Sequence, residues 1–127
     1  MIKTIALVAH DKQKVNMAEW ANKNRAILGK YNLVGTKGTC ETVNSVTGLN
    51  IDPLGHGPDG GDIVIANEVL QGNIDLIIFM IDVRTPHGHE HDIQTLLRIC
   101  VLKNVPIALN KRSAELMFSS EMMKEKD

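Results

Sequence analysis

Aromatic residues occupy only 3% of the 127 positions, as one Trp, one Tyr and two Phe. The core must therefore be aliphatic, and stacking platforms of the kind that grip single-stranded nucleic acid are absent. Neither sign of charge dominates. Fourteen Lys and Arg against 15 Asp and Glu leave a formal net charge of −1, which removes any general pull toward nucleic acid or an anionic membrane. Cysteine is confined to Cys40 and Cys100. With no secretory signal, they are expected to be reduced thiols of a cytoplasmic protein. Long hydrophobic runs are missing too. The N-terminal one, Ile5 to Ala9, is far too short for a signal peptide or a membrane span. There is no repeat, linker or low-complexity segment.

What is present suits an ordinary soluble globular protein: 43% hydrophobic and 23% charged residues, with length for one domain and one sizeable core. A single domain over residues 1–127 is expected, with the charged tail fraying from about residue 119. Ile2 to Ala9 reads as a buried strand ending at His10 and Asp11. Met17, Trp20, Ala21, Ile27 and Leu28 then share one face of a helix that Gly29 stops. Tyr31 to Val34 is a second strand. A short helix with Val43 and Val46 inward is closed by Gly48, and Leu49 to Leu54 holds a brief strand. Ile63 to Leu70 is a buried helix that Gly72 ends. Asp75 to Ile81 is apolar on both faces, as an interior strand of a parallel sheet must be. Ile93, Leu96, Leu97, Cys100 and Val101 mark an amphipathic helix with Asp92 as its N-cap. Val105 to Leu109 is a fifth strand, and Ser113 caps a last helix through Met117. The alternation predicts an α/β protein: three αβα layers around a five-stranded, mainly parallel sheet.

Ligands in such sheets bind outside the carboxyl ends of the strands. The polar residues suited to chemistry collect there. Gly55-His56-Gly57-Pro58-Asp59-Gly60-Gly61-Asp62 holds four glycines and a proline in eight residues, so it is a loop, and it feeds a helix. Free amides at that junction favour an anion. Asp62 is either the N-cap or a catalytic base at the edge of an anion site. Thr36-Lys37-Gly38-Thr39 opens another helix with hydroxyls, a lysine and amides suited to phosphate, or is a plain turn capped by Thr39. It has neither the Walker spacing nor a Gly-x-Gly-x-x-Gly pattern. His87-Gly88-His89-Glu90-His91-Asp92 could hold zinc or nickel, could face solvent, or could contain one histidine used as electrophile or proton shuttle. Cys40 is either an activated thiol at a helix start or a small core thiol. Lys14 lies near the same edge or is simply solvated.

Four segments together resemble the methylglyoxal synthase family. They are Ile5-Ala6-Leu7-Val8-Ala9-His10-Asp11; Gly57-Pro58-Asp59-Gly60-Gly61-Asp62; His89-Glu90-His91-Asp92 before Leu96-Leu97-Arg98; and Asn104-Val105-Pro106-Ile107-Ala108-Leu109-Asn110. The resemblance runs in register from Ile5 to about Phe118. It implies flavodoxin-like layering, conversion of dihydroxyacetone phosphate to methylglyoxal and phosphate, no cofactor, no metal, and a homohexamer. It implies Asp62 as general base, His89 as the histidine that polarises the carbonyl or shuttles a proton, and Asp92 and Asp11 as active-site carboxylates. His10, Lys14, Thr36, Thr39 and Gly57 become contacts to a small phosphate substrate, joined by Lys37, Gly38 and His56 from the same loops. The family's phosphate loop reads Thr-Gly-Thr-Thr-Gly where this chain has Thr36-Lys37-Gly38-Thr39-Cys40. A serine of the glycine loop is His56 here, and an arginine that some members supply from a longer tail has no counterpart. The departures cluster at phosphate binding and leave the acid–base set in place. Three functional classes stay open: an enzyme, a non-catalytic sensor of the same fold, and a metal-binding protein that uses the histidine loop.

Overall fold

The computed structural model describes residues 2–54, 61–85, 90–120 and 123, with the backbone alone at 61, 62 and 90–92. Five strands form one parallel sheet: β1 (Thr4–Ala9), β2 (Asn32–Gly35), β3 (Asp52–Pro53), β4 (Leu76–Met80) and β5 (Ile107–Ala108), in the order β3-β2-β1-β4-β5. Six helices join them: α1 (Lys14–Lys23), α2 (Arg25–Leu28), α3 (Lys37–Thr47), α4 (Gly61–Leu70), α5 (Glu90–Lys103) and α6 (Lys111–Phe118), with a 3-10 turn over Asp11–Gln13 ahead of α1.

The side-chain period of two divides β1 and β4 between two cores. Ile5, Leu7, Ala9, Leu76, Ile78 and Met80 face Met17, Trp20 and Ala21 of α1, Val43 of α3, and Ala114 and Phe118 of α6. Ala6, Val8, Ile77 and Phe79 face Ile65, Ala66 and Val69 of α4 and Ile93, Leu96 and Cys100 of α5. Both faces are covered, which is why these strands read as unbroken apolar runs. The expected three-layer, five-stranded fold is the one observed.

Local details differ from the sequence expectation for physical reasons. The first helix is two: α1 stops at Asn24 (φ −107°, ψ 19°), whose side-chain amide donates to the Trp20 carbonyl at 2.9 Å. A short polar side chain competing for backbone partners breaks the helical ladder there. Val46 points outward, 54% exposed. The inward face of α3 is Thr39, Cys40, Val43 and Thr47, and the Thr47 hydroxyl is satisfied by the Val43 carbonyl at 2.7 Å. Asn110, not Ser113, caps α6. Its Oδ1 accepts from the Ser113 amide at 2.8 Å. Asp92 lies in the first turn of α5, which begins at Glu90. Gly72 ends α4 as expected. At φ 79° it places its own amide 3.0 Å from the Val69 carbonyl and the Asn73 amide 2.9 Å from that of Glu68, the paired bonds of a Schellman stop. In the tail, Met123 is buried in the first core, and its carbonyl accepts from the Tyr31 hydroxyl at 3.3 Å.

Candidate functional site at the carboxyl edge

β1 outruns β2. Their last register pair is Leu7 with Gly35, after which the second chain turns into α3. Two residues further along β1, the Ala9 amide has no strand left to bond on that side. Thr39 supplies the acceptor: its hydroxyl, fully buried, lies 3.0 Å from the Ala9 nitrogen and 3.5 Å from the Ala9 oxygen. The same hydroxyl is 2.8 Å from that of Thr36. Thr39 is thus a strut between the sheet and the turn that opens α3 rather than a cap. Thr36 occupies the cap position of α3 and makes no side-chain bond to the helix amides, because its hydroxyl is turned to Thr39. The first-turn amides of α3 are left to an outside acceptor. Lys37 is exposed at the first helical position.

On the other side of β1, its last bond to β4 runs from the His10 amide to the Met80 carbonyl at 3.2 Å. The buried His10 ring then bridges the two strand ends. Its Nδ1 accepts from the Asp82 amide at 2.9 Å, so in the neutral ring the proton resides on Nε2. Phe79 meets the ring edge-on, centroids 5.3 Å apart and planes at 82°. Asp82 is itself buried, and its Oδ1 accepts from the Arg84 amide at 3.0 Å, closing a tight turn. Asp82 thus stands at the carboxyl edge beside His10, as its place at the end of the most apolar strand leads one to expect.

Asp11 and Lys14 form an ion pair at 2.7 Å, with the lysine side chain 25% exposed and the carboxylate 91% exposed. Such a solvent-facing pair adds little stability, but it aims the ammonium. Cys40 is a core thiol: burial first, then the negative charges of Asp52 and Glu41, push it up to about 11, away from thiolate chemistry at neutral pH. The backbone of α4 and α5 puts Asp62 and Asp92 in first turns. Because α4 leads into β4 and α5 leaves it, both helix N-termini lie at the carboxyl edge. His10, Asp11, Lys14 and Thr36 to Thr39 share that edge with them. His56, Gly57 and His89 lie outside the described residues, as does most of the histidine run considered for metal. Among the described residues no group of three or more His, Cys, Asp or Glu could hold a metal ion, and no helix is long and apolar enough to cross a membrane.

Comparison with known proteins bears on this edge directly. The MGS-like domain family matches residues 16–109. A methylglyoxal synthase of Clostridium acetobutylicum is 41% identical over 123 residues, covering 97% of this chain and 85% of that one. The chain belongs to the methylglyoxal synthase family. A second family member, from Leptospira interrogans, is 40% identical over 119 residues, covering 94% of this chain and 80% of its own. The crystal structure of methylglyoxal synthase from Elizabethkingia anophelis superposes with a TM-score of 0.88 at 34% identity, over 96% of this chain and 80% of that one. The structural match accounts for the three layers seen here.

Proposed function

We propose that the chain, acting as one domain, converts dihydroxyacetone phosphate to methylglyoxal and inorganic phosphate. The observation that carries this reading is the match of about 40% identity, over nearly the whole length of both chains, to proteins named for that activity. The chemistry asks for a base, an electrophile and an anion cradle. Asp62 takes a proton from the hydroxymethyl carbon beside the carbonyl. His89 stabilises the oxygen of the enediolate that forms, with Asp11 and Asp92 completing the acid–base set. The hydroxyl on the former hydroxymethyl carbon then gives up its proton to the acid–base set, its oxygen forms the aldehyde carbonyl, the carbon–carbon double bond shifts to the phosphate-bearing carbon, and the carbon–oxygen bond to phosphate breaks with its electron pair leaving on the phosphate. The enol left behind takes a proton on its methylene carbon and becomes methylglyoxal. Phosphate leaves as an anion, which Lys14, Lys37, the Thr36 hydroxyl and the amides of α3 are suited to hold. His10, His56 and Gly57 line the substrate. No metal and no organic cofactor is needed for these steps.

The same reading extends to a cytoplasmic homohexamer that diverts triose phosphate around lower glycolysis. Val83, Val101 and Leu102, exposed at 88%, 82% and 73%, are apolar surface of the kind that subunit contacts cover.

Asp62→Asn tests the mechanism, since Asn keeps the size and the capping ability of Asp. Phosphate release from dihydroxyacetone phosphate should fall by about 10²–10⁴, while binding of a phosphate-bearing substrate analogue and the unfolding transition persist. Turnover within a few-fold of wild type rejects Asp62 as base. A wild-type chain that binds the analogue but releases no phosphate supports the sensor reading instead.

A further inference from the structure

Gly38 stands at the second position of α3, and nothing in its backbone asks for glycine. The positive-φ glycines among the described residues are Gly48 and Gly72. What a side chain at 38 would meet is a single group. A Cβ there would lie 2.5 Å from Nζ and 3.3 Å from Cε of Lys14, and among the described residues no other neighbour comes within 4 Å, the adjoining residues and the helix's own backbone aside. The ammonium of α1 rests in the notch left by the missing side chain, with Asp11 Oδ1 2.7 Å from it. An ammonium beside the positive end of a helix dipole is poorly placed by itself. Asp11 balances it in part, and an anion at the start of α3 would balance it further.

We infer that Gly38 is a positioning residue for Lys14: by leaving the notch open it seats the ammonium against the first turn of α3, where cation and helix amides act together on the phosphate group of the substrate. This rests on the proposed phosphate chemistry and adds the device by which this chain arranges it. Lys37, exposed at the neighbouring position, then contributes through long-range charge, and the close cation is Lys14.

The test is a double-mutant cycle read by calorimetric titration with inorganic phosphate and, separately, by turnover of dihydroxyacetone phosphate. Gly38→Ala forces Nζ back by roughly 1 Å to reach ordinary contact distance. Ala is favoured over Gly in a helix, so the melting temperature should hold or rise. Phosphate affinity should fall about tenfold, in keeping with weakening of one charge-assisted hydrogen bond, and KM should rise by a similar factor with a much smaller change in kcat. In a Lys14→Met background the same Gly38→Ala change should alter phosphate affinity by less than about twofold, because its effect runs through the lysine. An additive loss in that background overturns the inference. So does a phosphate affinity within about twofold of wild type in Gly38→Ala alone, given that one charge-assisted bond is at stake. A loss accompanied by a lower melting temperature, or a wild-type chain that binds no phosphate, overturns it as well. If the wild type binds phosphate but does not turn over the substrate, the proposed activity fails while the titrations still decide the role of Gly38.

Discussion

Replacing Thr39 by valine keeps the shape of a fully buried side chain and removes one oxygen. That oxygen is the acceptor for the Ala9 amide at 3.0 Å, at the point where β1 has run past the end of β2. The amide cannot turn to water in a buried position, so it keeps its desolvation penalty of about 1–3 kcal/mol. The Thr36 hydroxyl also loses its 2.8 Å partner, but Thr36 is only half-buried and water can take over, so that loss adds little. Domains are stable by only about 5–15 kcal/mol, so about 2 kcal/mol is a large share. At about 3–5 °C per kcal/mol, between the values for smaller and larger domains, Thr39→Val should melt about 6–10 °C below wild type. The assay is thermal unfolding at fixed protein and phosphate concentration, since ligand and assembly both move the transition. Thr39→Ser is the control. It keeps the oxygen and gives up one methyl, worth about 1 kcal/mol, so it should fall between wild type and the valine variant. A valine variant within about 2 °C of wild type, or a serine variant less stable than the valine one, would refute the strut, given the expected shift per kcal/mol.

Two further expectations come from the packing. Burial pushes the thiols of Cys40 and Cys100 up from 9.0 to about 11, so the folded state disfavours the thiolate. Stability due to these groups is intact below about pH 9 and is lost as pH rises through about 11. Urea midpoints should therefore fall across that window, and less steeply in a Cys40→Ala, Cys100→Ala double variant; equal slopes would remove the thiols from the account. Gly35→Ala should be more damaging than Thr39→Val. The added Cβ runs into the Leu7 carbonyl oxygen, which is backbone, and lies 3.3 Å from Cys40 Sγ. Strand β2 must move away from β1, a strain at or above the usual 1–3 kcal/mol of overpacking, and a urea midpoint equal to that of wild type would contradict it.

The sheet was legible because its two longest inner strands carry apolar residues on both faces over Thr4–Ala9 and Leu76–Met80, a pattern few other environments tolerate. Turn chemistry at Gly72 and Gly48 was legible for a similar reason, as the left-handed backbone there selects glycine. The misreadings share one cause: short polar side chains whose partner is chosen in three dimensions. Asn110 and Ser113 can each cap a helix, and which one does is set by where the backbone turns. Asn24 breaks the first helix by reaching back to Trp20, an option that spacing does not display. Thr39 looked like a cap because its actual backbone partner, Ala9, lies 30 residues away in the chain. The bond between Asp82 and His10 was not legible because it spans 72 residues. Spacing left Asp62 open as cap or base and the histidine run open among several uses, and the roles proposed for Asp62, His89 and Asp92 were chosen by the resemblance. No periodicity distinguishes a base from a cap at the first turn of a helix.

Strand β1 precedes the other four strands in the chain, and it sits in the middle of the sheet between β2 and β4. On a ribosome it acquires one neighbour early and then waits. The gap of 72 residues between His10 and Asp82 takes roughly 4–14 s to synthesise at ordinary translation rates. Throughout that interval the β4-facing edge of Ile5 to Ala9, residues destined to be almost wholly buried, is an open template for another chain. The cover on its second face is completed later still: α4 is made before β4 but packs on α5, and α5 ends only at Lys103. A nascent chain short of Met80 carries a half-sheet with a bare edge, one short of Lys103 has that face only partly covered, and the Asp82 amide that orients the His10 ring is the last part of the strand ends to be made.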